Sequence, residues 1–339
     1  MDKGKKKILL IINPISGTLS KDGLAERVAR KLGSGKFDIE VAETTHAGHA
    51  SQLAREAKDL GYYAVLAAGG DGTVNEIAAA LRDSDTALGI LPYGSGNGLA
   101  RHLYSSINVD HALDVIAKDM PLACDYGSVN GLPFFCTFGL GFDAKVTREF
   151  ANAGSRGLIT YIRSAISEYL NFTPSVYEIT AYDGEELHKI TAEAFILAVC
   201  NASQYGNNAF IAPRASICDG MLDLVIVHKG NPLTRAIAGA ELFTGRLDRN
   251  LLIENIPSKK ITIRHLPGPA HIDGEPLTVP ETLEIECREK GLKLFTDPDK
   301  GPFRPFITPI ESMRDDSSYL IRENARLAAN NLKAIFRKK

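Results

Sequence analysis

The chain has 339 residues, 44% of them apolar and 24% charged, with a net charge of −2. That length suits two domains with real cores, and the near-neutral balance argues against a nucleic-acid partner. The basic start at residues 1–7 runs into an apolar stretch of only residues 8–12, too short for a signal core or a membrane span. The five cysteines, Cys124, Cys136, Cys200, Cys218 and Cys287, form no C-x-x-C pair and read as reduced core thiols of a cytoplasmic protein.

Residues 8–12 read as a buried strand, ending in the turn-forming loop Asn13-Pro14-Ile15-Ser16-Gly17. Leu24, Val28 and Leu32 then fall on one helix face. A strand at 37–41 leads into Thr44-Thr45-His46-Ala47-Gly48-His49 and a helix carrying Ala50, Leu53, Ala54, Ala57 and Leu60 inward. The strand at 64–68 ends in Gly69-Gly70-Asp71-Gly72-Thr73, followed by a helix face of Val74, Ile77, Ala78 and Leu81. A fourth strand, 87–91, runs into Pro92-Tyr93-Gly94-Ser95-Gly96-Asn97-Gly98. Alternation of this kind predicts an α/β domain with a parallel sheet and right-handed crossovers.

In such sheets, ligands bind beyond the carboxyl ends of the strands. The loops at Asn13, Thr45, Gly69 and Gly94 all fall at that edge. Glycine there permits positive φ and leaves no Cβ in a ligand's path, while the N–H groups of a following helix favour an anion. Four such loops on one edge predict a phosphate or nucleotide site. The dinucleotide fingerprint is poor, because the first strand ends in Asn-Pro, and the Walker pattern is absent. His46 and His49 are three apart, but no Cys or carboxylate cluster completes a metal site, so they read as hydrogen-bonding or surface residues.

The period changes near Pro121, where strands come to dominate. Asn130-Gly131 separates 123–129 from 132–138, and Asp183-Gly184 separates 176–182 from 187–199; both dipeptides favour type I′ hairpins. Further strands are expected at 221–228, 260–264, 283–287 and 292–295, with helices through Ile159, Ile162, Ile166 and Tyr169 and over 232–243. This pattern predicts a mainly antiparallel β-sandwich domain, with the active site in the cleft between the domains. Two acidic spots stand out, Gly141-Phe142-Asp143 and His271-Ile272-Asp273-Gly274-Glu275. Either alone reads as a turn-forming or solvated carboxylate. The end of the chain carries Leu320, Ile321, Ala328, Leu332, Ile335 and Phe336 at helical spacing, closing on Lys333, Arg337, Lys338 and Lys339. It is either a helix docked on its own domain or a second subunit, or an interfacial membrane helix.

These ordered segments, from Asn13-Pro14 with Ser16-Gly17 through Gly69–Thr73 and Gly94–Asn97 to Asp143, Asp219-Gly220 and Asp273-Gly274-Glu275, resemble the diacylglycerol kinase / sphingosine kinase lipid kinase family. The resemblance implies a Rossmann-like nucleotide domain (1–121), a β-sandwich lipid domain (122–297) whose end returns to the first, and a linker with an amphipathic basic helix (298–339). It implies phosphoryl transfer from ATP with Mg²⁺ to the hydroxyl of a lipid at the inner face of the membrane, with a homodimer as one possible assembly. ATP-binding positions would be Asn13, Ser16, Gly17, Thr45, Gly69, Gly70, Gly72, Thr73, Asn75, Glu76, Gly94, Ser95, Gly96, Asn97 and Arg156. Asp71 would organise Mg-ATP, Glu275 would be the base, and Asp143 lies near the position that meets a lipid amine. Bacterial diacylglycerol kinases carry an acid after the Asn of the second loop; here Gly98 stands there, which is similar to the sphingosine kinase branch. NAD kinases share Asn-Pro and Gly-Gly-Asp-Gly-Thr, so a soluble-metabolite kinase is an alternative. A non-catalytic nucleotide or lipid binder is another.

Overall fold

The computed structural model describes residues 4–17, 19–33, 35–152 and 172–337. The first region runs β1 (Lys6–Ile12), α1 (Leu24–Leu32), β2 (Phe37–Glu43), α2 (His49–Asp59), β3 (Ala64–Gly69), α3 (Asp71–Leu81) and β4 (Ala87–Pro92). The strands pair in parallel, in spatial order β2-β1-β3-β4. Every residue of β3 and β4 is buried, which is why they read as unbroken apolar runs rather than alternating ones.

Two helices follow that periodicity does not reveal: α4 (Gly98–Tyr104) and α5 (Val109–Ala117). All seven residues of α4 are buried, so it has no polar face to set a period. For α5 a signal exists, because Asn108 caps it by accepting from the Asp110 and His111 backbones.

The second region comprises β5 (Pro121–Val129), β6 (Leu132–Phe134), β7 (Thr137–Gly141), α6 (Phe142–Asn152), β8 (Ser175–Tyr182), β9 (Leu187–Cys200), β10 (Leu222–His228), α7 (Pro232–Thr244), β11 (Ile253–Ser258), β12 (Lys260–Arg264), β13 (Gly268–Ile272), β14 (Glu275–Val279) and β15 (Thr282–Phe295). The pairings among these strands are antiparallel, and a separate core of residues such as Phe134, Phe138, Ile179, Leu224 and Ile263 lies between them. The α/β-plus-sandwich architecture holds, with local corrections. The expected strand 132–138 is two strands, because Phe135 and Cys136 leave the ladder to bind the Asp273 side chain. The two strands expected at 283–287 and 292–295 are one, β15, with an irregularity between Arg288 and Leu292. Asn130-Gly131 is a type I′ turn, with φ of 48° and 83°. Asp183-Gly184 is not: the Asp183 carboxylate accepts from the Glu185 and Glu186 backbones, at 2.7 Å each, and widens the turn. The helix expected through Ile159 to Tyr169 lies outside the described residues.

β15 joins the two regions. It pairs with β12 and β5, then places Leu294 beside Leu88 of β4. A single sheet therefore runs through both halves, and the site between them sits on a continuous hydrogen-bonded frame.

The last helix, α8 (Ile307–Arg337), starts earlier than its charge pattern suggests. Its near half is docked on the first region. Asp316 pairs with Arg101 at 2.5 Å, both side chains buried, and accepts from the Ile107 backbone at 3.0 Å. Tyr319 is 2% exposed within the first core, and Glu323 reaches Arg27 at 3.2 Å. Leu320 packs against that core while Ile321 is exposed. The side chains of Leu332, Lys333, Ile335, Phe336 and Arg337, and residues Lys338 and Lys339, lie outside those described. The thiols are less scattered than their spacing implies: Cys218, exposed, stands 3.4 Å from buried Cys124.

Candidate active site

The site begins at the two glycine loops. α3 starts directly at Asp71, and Gly70 before it is extended and gives no side-chain cap. The first-turn N–H groups are thus left for a ligand. A Cβ on Gly94 would fall 2.6 Å from the Gly70 Cα, so the backbones of the two loops touch and only glycine fits.

Asp71 ties the loops together. Its Oδ2 accepts from the Asn97 backbone at 2.9 Å and its Oδ1 from Gly98 at 2.8 Å. Burial pushes the Asp71 carboxyl up, and the Gly98 and Asn97 N–H groups oppose that. Asn97 in turn closes its own loop, accepting from the Gly94 N–H at 2.8 Å and donating to the Gly94 carbonyl at 2.7 Å. Ser95 stands exposed at the tip, and Gly96 packs against Asp71, since a Cβ there would lie 2.8 Å from Oδ2.

The first loop joins this assembly from β1. Asn13 Nδ2 donates to Thr73 Oγ1 at 2.9 Å, and Ser16 Oγ donates to the Asn13 carbonyl at 3.1 Å. Gly69 lies under the Thr73 side chain. Gly17 has φ +75° and presses on the Tyr93 carbonyl, so a side chain there would be both strained and obstructed. Lys21 brings a cation that the motif reading missed. Its Nζ donates to the Ser16 carbonyl at 2.5 Å and lies 5.0 Å from the Tyr93 ring centroid; burial pulls its pKa down. A lone lysine beyond the loop carries no spacing signal.

At the next loop, Thr45 Oγ1 lies 2.9 Å from His46 Nδ1 and 3.2 Å from His49 Nδ1, and the two rings stack. Glu76 accepts from the Gly48 and Ser51 backbones, so its carboxylate caps α2. Asn75 is half-buried on the first turn of α3. No group of three His, Cys, Asp or Glu among the described residues could hold a metal by itself. Arg156 lies outside the described residues.

The second region contributes one carboxylate. β13 and β14 are joined by Asp273-Gly274, with φ of 49° and 83°, a type I′ turn that projects Glu275. The Asp273 carboxylate accepts from the Phe135, Cys136 and Thr137 backbones at 2.8, 2.7 and 2.8 Å. Burial raises its pKa to about 6 against those three N–H groups. Asp273 therefore fixes the hairpin, a role its sequence position did not disclose. Exposed Glu275 reaches the α3 N-terminus: its Oε1 lies 3.8 Å from where a Cβ on Gly72 would be. The structure corrects one expectation at Gly72. Its φ is not positive and the protein leaves room for a Cβ, so any cost of a side chain there falls on a ligand or on Glu275.

Asp143 is 3% exposed and faces inward. It accepts from Tyr205 Oη at 2.8 Å and meets His271 Nε2 at 3.1 Å. The Tyr205 carbonyl stands behind Gly98, 3.3 Å from where a Cβ would be. An acid at position 98 would have to displace that wall.

Residues 7–129 match the model of the diacylglycerol kinase catalytic domain, and residues 137–296 match that of the YegS C-terminal NAD kinase beta sandwich-like domain. The chain belongs to the diacylglycerol kinase-type lipid kinase family. Proteins named "Probable lipid kinase YegS-like" from Yersinia pestis (strain Pestoides F) and Yersinia pseudotuberculosis serotype O:1b are each 27% identical over 277 residues, covering 80% of this chain and 90% of theirs. A diacylglycerol kinase structure from Bacillus anthracis str. Sterne has a TM-score of 0.65 at 21% identity, over 87% of this chain and 98% of its own. A second structure from that organism reaches 0.68 at 23% identity, over 87% and 99%. At those identities the structures speak for the fold. The protein is thus a lipid kinase, and kinase membership implies ATP use. Among the described residues, no helix of this kinase is long and apolar enough to cross a membrane.

Proposed function

We propose that this lipid kinase binds Mg-ATP across the loops at Asn13, Thr45, Gly69 and Gly94 and transfers the γ-phosphoryl group to a lipid hydroxyl, with Glu275 as general base. The observation that carries this reading is the approach of Glu275, from the second region, to the uncapped start of α3 in the first. A γ-phosphate on those N–H groups would lie beneath an exposed carboxylate that can serve an incoming hydroxyl. Phosphoryl transfer runs largely on positioning and charge stabilisation, and a placed base adds on the order of 10² to 10⁴ in rate.

The Asp71 geometry supports a supporting role rather than proton transfer. Both its oxygens hold backbone N–H groups of the second loop, so it shapes the cradle. Mg²⁺ is commonly held by one or two carboxylates together with substrate phosphates, and Asp71 is of that kind. When bound, the ion offsets phosphate charge. Lys21, with its Nζ at the first loop, can meet a phosphate oxygen there.

For the acceptor we infer a sphingoid base or a similar long-chain amino alcohol ahead of diacylglycerol. Gly98 in place of an acid supports it, as does the Tyr205 carbonyl, which a side chain at position 98 would crowd. The lipid is reached at the inner face of the membrane, by peripheral contact. The test is labelled ATP against sphingosine, ceramide, diacylglycerol and NAD, with products extracted into organic solvent. Label in organic-soluble product with sphingosine at the highest kcat/KM supports the reading. A higher kcat/KM for diacylglycerol overturns the substrate choice, and label on NAD alone overturns the lipid acceptor.

A further inference from the structure

Beside α4, which follows the second loop, lies a cavity of about 480 Å³. It is walled by α4, the segment around Ser203–Ile217, and the strand of chain leading into α8. Its size is in the range of small-ligand sites. Its charge is one-sided: Arg101, Arg214, Arg249 and Lys300 line it, against the single carboxylate of Asp248. Asp248 is engaged by Arg214 at 2.8 Å, and Arg101 by Asp316. Lys300 donates to a neutral acceptor, the His102 carbonyl. Desolvation against the cavity wall pulls the Lys300 ammonium down to about 8, with the Asp297 carboxylate opposing that shift. His102, also buried, is held neutral and adds no repulsion.

The second observation is independent of charge. Exposed apolar side chains stand beside the lining residues on both flanks. Phe243 precedes Gly245, and Phe306 and Ile307 lie between Pro305 and Thr308; their exposures are 36%, 45% and 45%. Ile310, one turn further on, is 63% exposed. The Phe306 N–H donates to the Thr244 carbonyl at 2.9 Å, which locks the two flanks together. A cationic cavity with an apolar border suits an amphiphile whose polar end is an anion, since arginine and lysine bind phosphate oxygens while exposed apolar groups enter the acyl boundary. A free anion would use the cations and leave the border idle.

We propose that this cavity is a second binding site, separate from the kinase centre, for the phosphate-bearing head group of an anionic phospholipid, with Phe306, Ile307 and Ile310 entering the bilayer beside it. The site is tied to the second glycine loop through Arg101, which lines the cavity and donates from Nε to the Gly96 carbonyl at 3.1 Å and from its backbone N–H to the Asn97 carbonyl at 2.9 Å. The inference does not rest on the reaction or on the acceptor proposed above.

The test is flotation of the full chain with phosphatidylcholine vesicles, with and without phosphatidylglycerol. The wild type should prefer the anionic vesicles. The triple variant Lys300→Gln, Arg214→Gln, Arg249→Gln should bind them at least roughly tenfold more weakly. A charge-matched control on the far sandwich, Lys189→Gln, Lys260→Gln, Arg264→Gln, should bind as the wild type does. Lys300→Arg should retain binding, and Ile307→Ser with Ile310→Ser should weaken it. Thermal melts in buffer establish that each variant is folded, and kinase activity on detergent-dispersed lipid should be unchanged in the cavity triple. Equal losses in the two triple variants would overturn the site. Stabilisation by inorganic phosphate without preference for anionic vesicles would overturn the lipid source.

Discussion

The two sides of the active site are built by opposite means. On the side of the first region, three loops interlock through close contacts, with Gly94 against Gly70, Gly17 against Tyr93, and Asp71 bound to both Asn97 and Gly98 N–H groups. On the side of the second region, Glu275 stands on a two-residue turn whose anchor is one side chain, Asp273, on three N–H groups. A polyanion needs many fixed donors at once, and backbone supplies them with little reorganisation. A base needs one group that is ionised, accessible and held in place. The first side is therefore sensitive to added bulk almost anywhere, and the second to loss of particular carboxylates.

The sharpest break in that comparison is Glu275→Gln. Its kcat should fall on the order of 10² to 10⁴, with KM for ATP near normal. Steady-state kinetics with saturating lipid measures this, and near-normal kcat would remove Glu275 from the base role. Asp71→Asn should instead damage both parameters. The new NH₂ would face an N–H of Asn97 or Gly98, and leaving a buried donor unmatched costs roughly 1–3 kcal/mol. ATP affinity by calorimetry should drop about tenfold or more, alongside kcat. If kcat vanishes while ATP binds normally, the roles of Asp71 and Glu275 are exchanged.

Gly94→Ala probes the interlock without touching chemistry. Its Cβ would meet the Gly70 Cα at 2.6 Å and Asn97 Oδ1 at 2.9 Å, and overpacking of this kind costs roughly 1–3 kcal/mol. A lower denaturation midpoint and weaker ATP binding are expected together.

Asp273→Asn tests the anchor through pH. The folded carboxyl has a pKa of about 6, above the unfolded value of roughly 3.9. The native state therefore holds the extra proton, and this group's contribution is fully present below the unfolded value and lost as pH rises through about 6. Wild-type stability should decline across that window relative to the Asn variant, in which the slope disappears; parallel profiles would show that Asp273 does not titrate there. Gly72→Ala should have the smallest effect on stability, since φ is ordinary and the nearest atom is Glu275 Oε1 at 3.8 Å. ATP affinity should nonetheless fall, because the new methyl lies toward the bound phosphate; unchanged affinity would move the phosphate away from α3.

Much of this site was legible because its parts are local. A strand, a glycine-bearing turn and a helix start are neighbours in sequence, so Asn13, Asp71, Gly94 and Asn97 could be placed on one sheet edge from periodicity and sheet rules alone. What escaped was relational. Lys21 matters because burial brings its Nζ to the first loop. Asp273 and Glu275 look alike as carboxylates beside a glycine, yet the first is spent on N–H groups and the second is open. Asp143 reads as an acid beside the site, but its Oδ2 serves Tyr205 and His271 and its Oδ1 the Ala144 N–H inside the fold. Short α4 gave no period because it has no solvent face.

From the sequence by itself come the parallel first region, the strand-rich second, the glycine-bearing loops on one sheet edge and the lipid kinase family, because apolar period, turn chemistry and motif order are all properties of neighbouring residues. The tertiary structure alone decided that the returning β15 lands on β4 with Leu294 beside Leu88, that α8 docks on Arg101, and that Glu275 crosses to Gly72. Each of these joins positions more than a hundred residues apart, where only the packing of the whole chain determines which groups meet.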